Sequence, residues 1–192
     1  QPTTAPDSMR AGYGVYANYN LNYHSADFMK LPGVPNCCRG FESGDGNGFT
    51  FGVVYVYPLD RTLSIDIRAG YTGYSALLSS REQTVLSVDF AAAPGEFEHR
   101  LDASLSSIGI EPLADYRVWR TLSVMAGPRF GFVLSRTYEQ REEIVVPTDR
   151  GVFPDTQTRT RNVYSGDIPD AGNLQIALLG GLRYEVPLNR ER

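Results

Sequence analysis

A strict two-residue alternation, held for longer than an ordinary soluble strand lasts, restricts this chain more than any other feature. Between residues 11 and 23 the odd positions are Ala11, Tyr13, Val15, Ala17, Tyr19, Leu21 and Tyr23. Between them lie Gly12, Gly14, Tyr16, Asn18, Asn20 and Asn22. Successive side chains on a strand point to opposite faces, so one face is apolar and aromatic while the other is small or polar. The same pattern recurs over residues 49–59, 63–71, 122–134 and 174–186. A further segment, 97–118, changes phase. Leu101, Ala103 and Leu105 share one parity and Ile108 and Ile110 the other, which predicts a β-bulge near Ser106-Ser107. Six strands are legible in this way, and eight are expected from the precedent of closed monomeric barrels.

Strand length and connection length point the same way. Soluble strands usually run about five or six residues, and a tilted membrane-crossing strand needs about nine to eleven. Short turns join strands two and three (residues 58–61) and strands four and five (118–121), whereas residues 25–47, 79–96 and 136–172 read as long connections. Short turns at one end and long loops at the other predict an antiparallel up-and-down transmembrane β-barrel. Residues 84–92 either supply another strand or lengthen the third. Residues 137–147 and 157–165 either form a hairpin or prolong strands five and six above a membrane.

Composition decides which face meets what. The chain has 19 Gly, 12 Tyr and a single lysine, Lys30, among 18 basic residues. A soluble barrel would carry many Lys and Glu on its polar face. Here that face is mostly Gly, Asn, Ser and Thr, which suits a narrow, crowded lumen. Asp66, Arg68, Arg100, Asp102, Arg129, Arg183 and Glu185 are therefore expected to point inward as a charge network, since a charge facing lipid costs about 2–4 kcal/mol near the midplane. Tyr13, Tyr57, Tyr116, Trp119 and Tyr184 near the short-turn end, and Tyr23 with Phe49 near the other, are expected to form aromatic girdles. The net charge of −4 disfavours nucleic acid as a partner.

Little suggests catalysis or a bound ion, so no enzyme, cofactor or metal is expected. The adjacent Cys37 and Cys38 lack the spread and the nearby His of a zinc site and are read as disulfide candidates, local or intermolecular. Gln1 with no preceding signal is read as the start of a secreted protein already processed. Residues 1–8, Pro-rich and without alternation, are read as a tail ahead of a barrel domain over 9–190. Residues 42–48 lack the full ligand set of a calcium loop. His24 and Ser25, adjacent on a strand, point to opposite faces and would not pair as base and nucleophile.

The run Gly14-Val-Tyr-Ala-Asn-Tyr-Asn-Leu-Asn-Tyr-His-Ser-Ala-Asp-Phe, with Leu31-Pro-Gly-Val-Pro-Asn-Cys-Cys and Gly127-Pro-Arg-Phe-Gly-Phe, resembles the N-terminal barrels of OmpA-like and porin-family outer-membrane proteins. The ending around Gly181, Tyr184 and Val186 is similar to the terminal-strand signal read by barrel-assembly machinery. The resemblance implies a Gram-negative outer membrane, with the lipid bilayer and that machinery as partners. It also implies a structural or surface-interaction role. A small pore, or a subunit docking on neighbouring copies of itself, is the alternative, and a lipid-modifying enzyme is a weaker one.

Overall fold

The computed structural model describes residues 10–28, 40–169 and 172–186. They form β-strands with no helix: β1 (Gly12–Phe28), β2 (Phe41–Pro58), β3 (Leu63–Val88), β4 (Ala91–Arg117), β5 (Leu122–Val146), β6 (Thr160–Asp167) and β7 (Leu174–Tyr184). All pairings are antiparallel, in the order β1-β2-β3-β4-β5, with β6 and β7 both on β5. β6 pairs with the Thr137–Glu143 stretch of β5 and β7 with its Leu122–Phe132 stretch. The two are successive halves of a single lane, so seven strands make six lanes.

Two expectations change here. Eight strands closed into a barrel are not what the described residues form, because β1 and β7 pair with nothing on their outer sides and the sheet stays open. Residues 79–96 are not a loop. β3 and β4 pair without interruption from Leu63↔Tyr116 to Val88↔Ala91 and turn at Asp89-Phe90. Both turn residues have positive φ, 50° and 64°, the left-handed conformation of the tightest hairpin turns. Asn-Gly would have announced that turn in the sequence; Asp-Phe does not. Residues 84–92 thus lengthen the third strand and open the fourth. Residues 137–147 prolong the fifth, with β6 alongside.

The sheet is strongly curled. β7 lies three lanes from β3, yet Arg183 Nη1 donates to Asp66 Oδ2 at 2.6 Å. Such a bond is made only across a trough. Close backbone approach helps β2 follow the curl: a Cβ on Gly46 would lie 1.8 Å from the Ser75 carbonyl oxygen, and one on Gly48 would lie 1.9 Å from that of Gly73. Side chains beyond hydrogen cannot occupy those positions unless the strands separate.

Apart from Leu113 in the lower half, the buried apolar residues gather at one end of the trough, around the long upper parts of β3, β4 and β5. Phe41, Ala76, Leu78 and Leu101 form one cluster, with Ala103 and Tyr138 against it. Leu86, Phe97, Ile144 and Phe153 form a second. Phe153 arrives on the segment between β5 and β6, whose backbone is held by Arg159. Its guanidinium donates to the carbonyl oxygens of Ile144, Pro147, Thr148, Arg150 and Gly151. At the lower end the short turns are tied by Asp60, which accepts from the backbone N–H of Thr62 (2.6 Å) and Leu63 (2.8 Å). These hydrogen bonds hold its carboxyl below the usual range.

Candidate functional site

The distribution of apolar side chains between the two faces is the property with functional content. In the lower half the convex face is greasy. Val15 is 85% exposed, Phe51 55%, Phe130 49% and Leu178 84%, and Ile65 is partly exposed on the same face. The concave face there holds Asp66, Thr72, Ser107, Glu111, Asp115, Ser123 and Arg129, all buried. In the upper half the arrangement reverses. Leu78, Leu86, Phe97, Leu101 and Ile144 are buried on the concave side. The convex side carries Arg81, Glu98, Arg100, Asp102, Glu139, Arg141 and Glu143, placed beside one another by the registers Arg81↔Glu98↔Glu143, Arg100↔Arg141 and Asp102↔Glu139.

On β3, β4 and β5 the reversal falls at one row: the last apolar convex row is Phe51↔Tyr71↔Ile108↔Phe132↔Leu174, and Gly73↔Ser106↔Ser135 begins the polar region above it. On β1 and at its neighbour Phe49, exposed apolar side chains continue higher, through Tyr19, Leu21 and Tyr23. The β3–β4 ladder corrects the expected bulge in the fourth strand. β4 keeps constant parity against β3 through Ser106-Ser107, so its phase change is a change of chemistry on a continuous strand. The register does shift at this level, but on the β4–β5 side. Ser106↔Ser135 is followed by Ser107↔Val133, which leaves Leu134 as the extra residue of β5.

Below the reversal the convex band runs down to Tyr57, Leu63, Tyr116, Leu122 and Tyr184. β7 measures its height. Its 11 residues extend about 35 Å at ~3.3 Å per residue, which would be about 27 Å vertically at the ~40° tilt usual in membrane barrels. The residues named for girdles are exposed: Tyr13, Tyr23, Tyr57, Tyr116, Trp119 and Tyr184. Trp119 lies in the β4–β5 turn at the lower edge of the band. Of the residues resembling an assembly signal, Gly181, Tyr184 and Val186 are all exposed on or just after β7.

The concave lower cavity is lined by ion pairs. Arg183 reaches Asp66 at 2.6 Å, Asp115 at 3.0 Å and Glu185 at 3.2 Å. Arg129 donates to Glu111 at 2.5 Å and to Ser107 Oγ at 2.9 Å. Arg68 lies 4.0 Å from Asp66, donates toward Met125 Sδ and stacks on the Tyr16 ring. Five of the seven residues named from sequence for the charge network, Asp66, Arg68, Arg129, Arg183 and Glu185, line this side or its lower rim. Arg100 and Asp102 do not: they sit on the opposite face in the upper half, paired with each other at 3.0 Å and about one third exposed. Their parity matched the inward set, but the chain had already passed the reversal. Glu111 and Asp115 complete the network. They were legible as the same-face neighbours of Leu113 on β4.

A second polar cluster was missed altogether. Glu142 is fully buried and is met by Arg161 Nε at 2.7 Å, Asn162 Nδ2 at 2.9 Å and His99 Nδ1 at 3.3 Å. Burial pushes this carboxyl up, but the contacts from His99, Asn162 and Arg161 outweigh it and hold the group down to about 2. Arg161 also stacks 4.0 Å over the Phe153 ring and 5.5 Å from that of Phe97, which joins the cluster to the apolar core. In the sequence these residues are indistinguishable from the solvated charges around them.

In both clusters the buried carboxylates face cations, and no group of three or more His, Cys, Asp or Glu suited to a metal occurs among the described residues. His24 Nε2 meets the Ser75 carbonyl oxygen at 3.0 Å, and His99 faces Glu142. Cys37, Cys38 and the tail 1–8 lie outside the described residues. No protein family, curated protein or solved structure matches the chain.

The highest point of the molecule is apolar again. Above the charged belt, the convex side of the β3–β4 hairpin presents Val85, Pro94 and Ala92, with Val146 of β5 beside Glu96. Phe90 caps it, wholly exposed at 103% in its left-handed conformation. Exposed aromatics in a sterically costly backbone region concentrate where contact is made.

Proposed function

We propose that this chain forms the wall of a β-barrel in the outer membrane of a Gram-negative envelope. Its short turns face the periplasm, and its upper sheet stands outside the cell as a contact surface. The observation that carries this reading is the exchange of apolar and charged faces part-way up β3, β4 and β5. A soluble protein has water on its outer side at every height and has no cause to exchange them. A protein crossing hydrocarbon has cause to do so at the waterline. The apolar band matches the roughly 25 Å of such barrels in height, and the charged belt begins where the band stops. Salt bridges crossing the interior favour a structural wall over an open pore.

Charge scanning tests the reading. Arg placed at Ala69, within the band, is expected to cost about 2–4 kcal/mol of stability in bilayers. It should also deplete the protein from the carbonate-washed outer membrane. Arg at Ser79, three alternation steps above Gly73 on the same face of the same strand, is expected to be tolerated. Equal tolerance at both positions would remove the membrane reading.

The contact role rests on Phe90. A non-glycine residue in the left-handed region costs about 1–2 kcal/mol, so Phe90→Gly should stabilise the hairpin. The same variant is expected to weaken adhesion of intact cells to whatever surface the wild-type protein binds. A variant with unchanged adhesion would leave the tip a mere turn.

A further inference from the structure

The lower cavity, about 760 Å³ on the concave side between β1 and β7, is lined by four charged side chains, Arg68, Glu111, Arg129 and Arg183. Glu111 and Arg129 cancel as a pair. Arg183 is balanced by Asp66 and Asp115, but those carboxylates lie behind it. Asp66 is wholly shielded and Asp115 is 3% exposed, against 24% for the Arg183 side chain. The cavity therefore meets cations first, with their counter-charges beneath. A concave wall of one sign concentrates ions of the other.

Arg68 is the least matched of the three cations. Among the described residues the one carboxylate within 4.0 Å of it is Asp66, which Arg183 already holds at 2.6 Å. Its hydrogen bond goes to a thioether, Met125 Sδ, at 3.2 Å, and its Nε meets no acceptor among the described residues. A thioether sulfur is a weak acceptor for a guanidinium. On the opposite wall stand Asn20 and Asn22 of β1. The amide nitrogen of Asn22 also meets no acceptor among the described residues. Both walls thus hold donors in excess.

From this arrangement we propose that the lower cavity binds a soluble phosphate monoester with a hydroxylated body. Arg68 and Arg183, the two cations not cancelled at the cavity wall, suit a dianion, and a phosphate monoester carries a charge of about −1.5 to −2 at neutral pH. The planar fork of a guanidinium matches the paired oxygens of a phosphate. The Asn20 and Asn22 amides face the hydroxyls of the ligand from the β1 side. Entry lies between β1 and β7, which form no ladder with each other among the described residues. The site belongs to the concave face and does not depend on what surrounds the convex one.

Equilibrium dialysis of radiolabelled glycerol 3-phosphate against the full-length protein in a non-ionic detergent tests this. Saturable binding of one ligand per chain is expected, displaced by inorganic phosphate and not by glycerol. Arg68→Met should weaken it about 10- to 100-fold, the size of a lost hydrogen bond to a charged group. Asn22→Asp sets a charge of the ligand's own sign on the other wall. It should weaken binding as well, and it carries the test if Arg68→Met fails to fold. Arg81→Met removes a cation on the convex face, 62% exposed, and should bind as the wild type does. An absence of saturable binding, or equal losses in Arg68→Met and Arg81→Met, would overturn the proposal. Displacement by phosphatidylglycerol in mixed micelles, but not by inorganic phosphate, would assign the site to a lipid headgroup and overturn the soluble source.

Discussion

Replacing Arg183 by Met is expected to destabilise the protein by about 3–5 kcal/mol, the penalty for leaving buried charge unpaired. Arg183 serves Asp66 and Asp115 together, at 2.6 and 3.0 Å, and both carboxylates are almost wholly shielded. Without it, Arg68 at 4.0 Å from Asp66 is the remaining cation nearby. The loss should register as a lower urea midpoint for unfolding from bilayers and as a smaller heat-modifiable fraction on gels. The triple variant Arg183→Met, Asp66→Asn, Asp115→Asn removes both the cation and the anions it neutralises. It should recover most of the loss, because neutral side chains need no counter-charge. If Arg183→Met alone unfolds no more easily than wild type, the pairs in the trough contribute nothing to holding β7 against β3.

Acid should loosen the upper sheet before it affects the lower one, and Glu142 is the reason. Its carboxyl titrates near 2 in the folded protein against 4.5 for the ordinary group. A depressed value means that stability is fully present above about 4.5 and is lost as the pH falls toward 2. The gap corresponds to about 3 kcal/mol. Amide exchange in the upper parts of β4 and β5 should therefore accelerate over that interval. In Glu142→Gln the amide keeps the shape and one acceptor but carries no charge. Its upper sheet should already be looser at neutral pH and should show no further acid step from this group. Parallel acid profiles in the two proteins would dismiss Glu142 as the source.

What could be read from the residues follows from which environment wrote the pattern. Where one face is greasy and the other small, as along Tyr13-Val15-Ala17-Tyr19, period two gives the strand and its facing directly. The lower halves of six lanes were legible for that reason. The upper halves obey the same period with the facing reversed. Leu101 and Ala103 were visible as one stripe and Ile108 and Ile110 as another, but parity alone does not distinguish a bulge from a change of surroundings. Residues 79–96 looked like a loop because charges crowd Arg81–Glu98 and because Asp89-Phe90 is an unusual hairpin turn. The buried status of Glu142 was illegible for a different reason. Its partners His99, Arg161 and Asn162 come from two other strands, and nothing local separates Glu142 from Glu139 or Glu143.

The row at which the two faces trade places also acts as a common register mark for β3, β4 and β5. Sliding one strand by a single residue against its neighbour would turn both its halves inside out. Sliding it by two would restore the facing but draw Ser106 or Ser135 down into the apolar band, or lift Phe132 into the polar region above it. β3, β4 and β5 are thus each pinned at two heights by opposite preferences, so their mutual register is set twice over by the residues they carry.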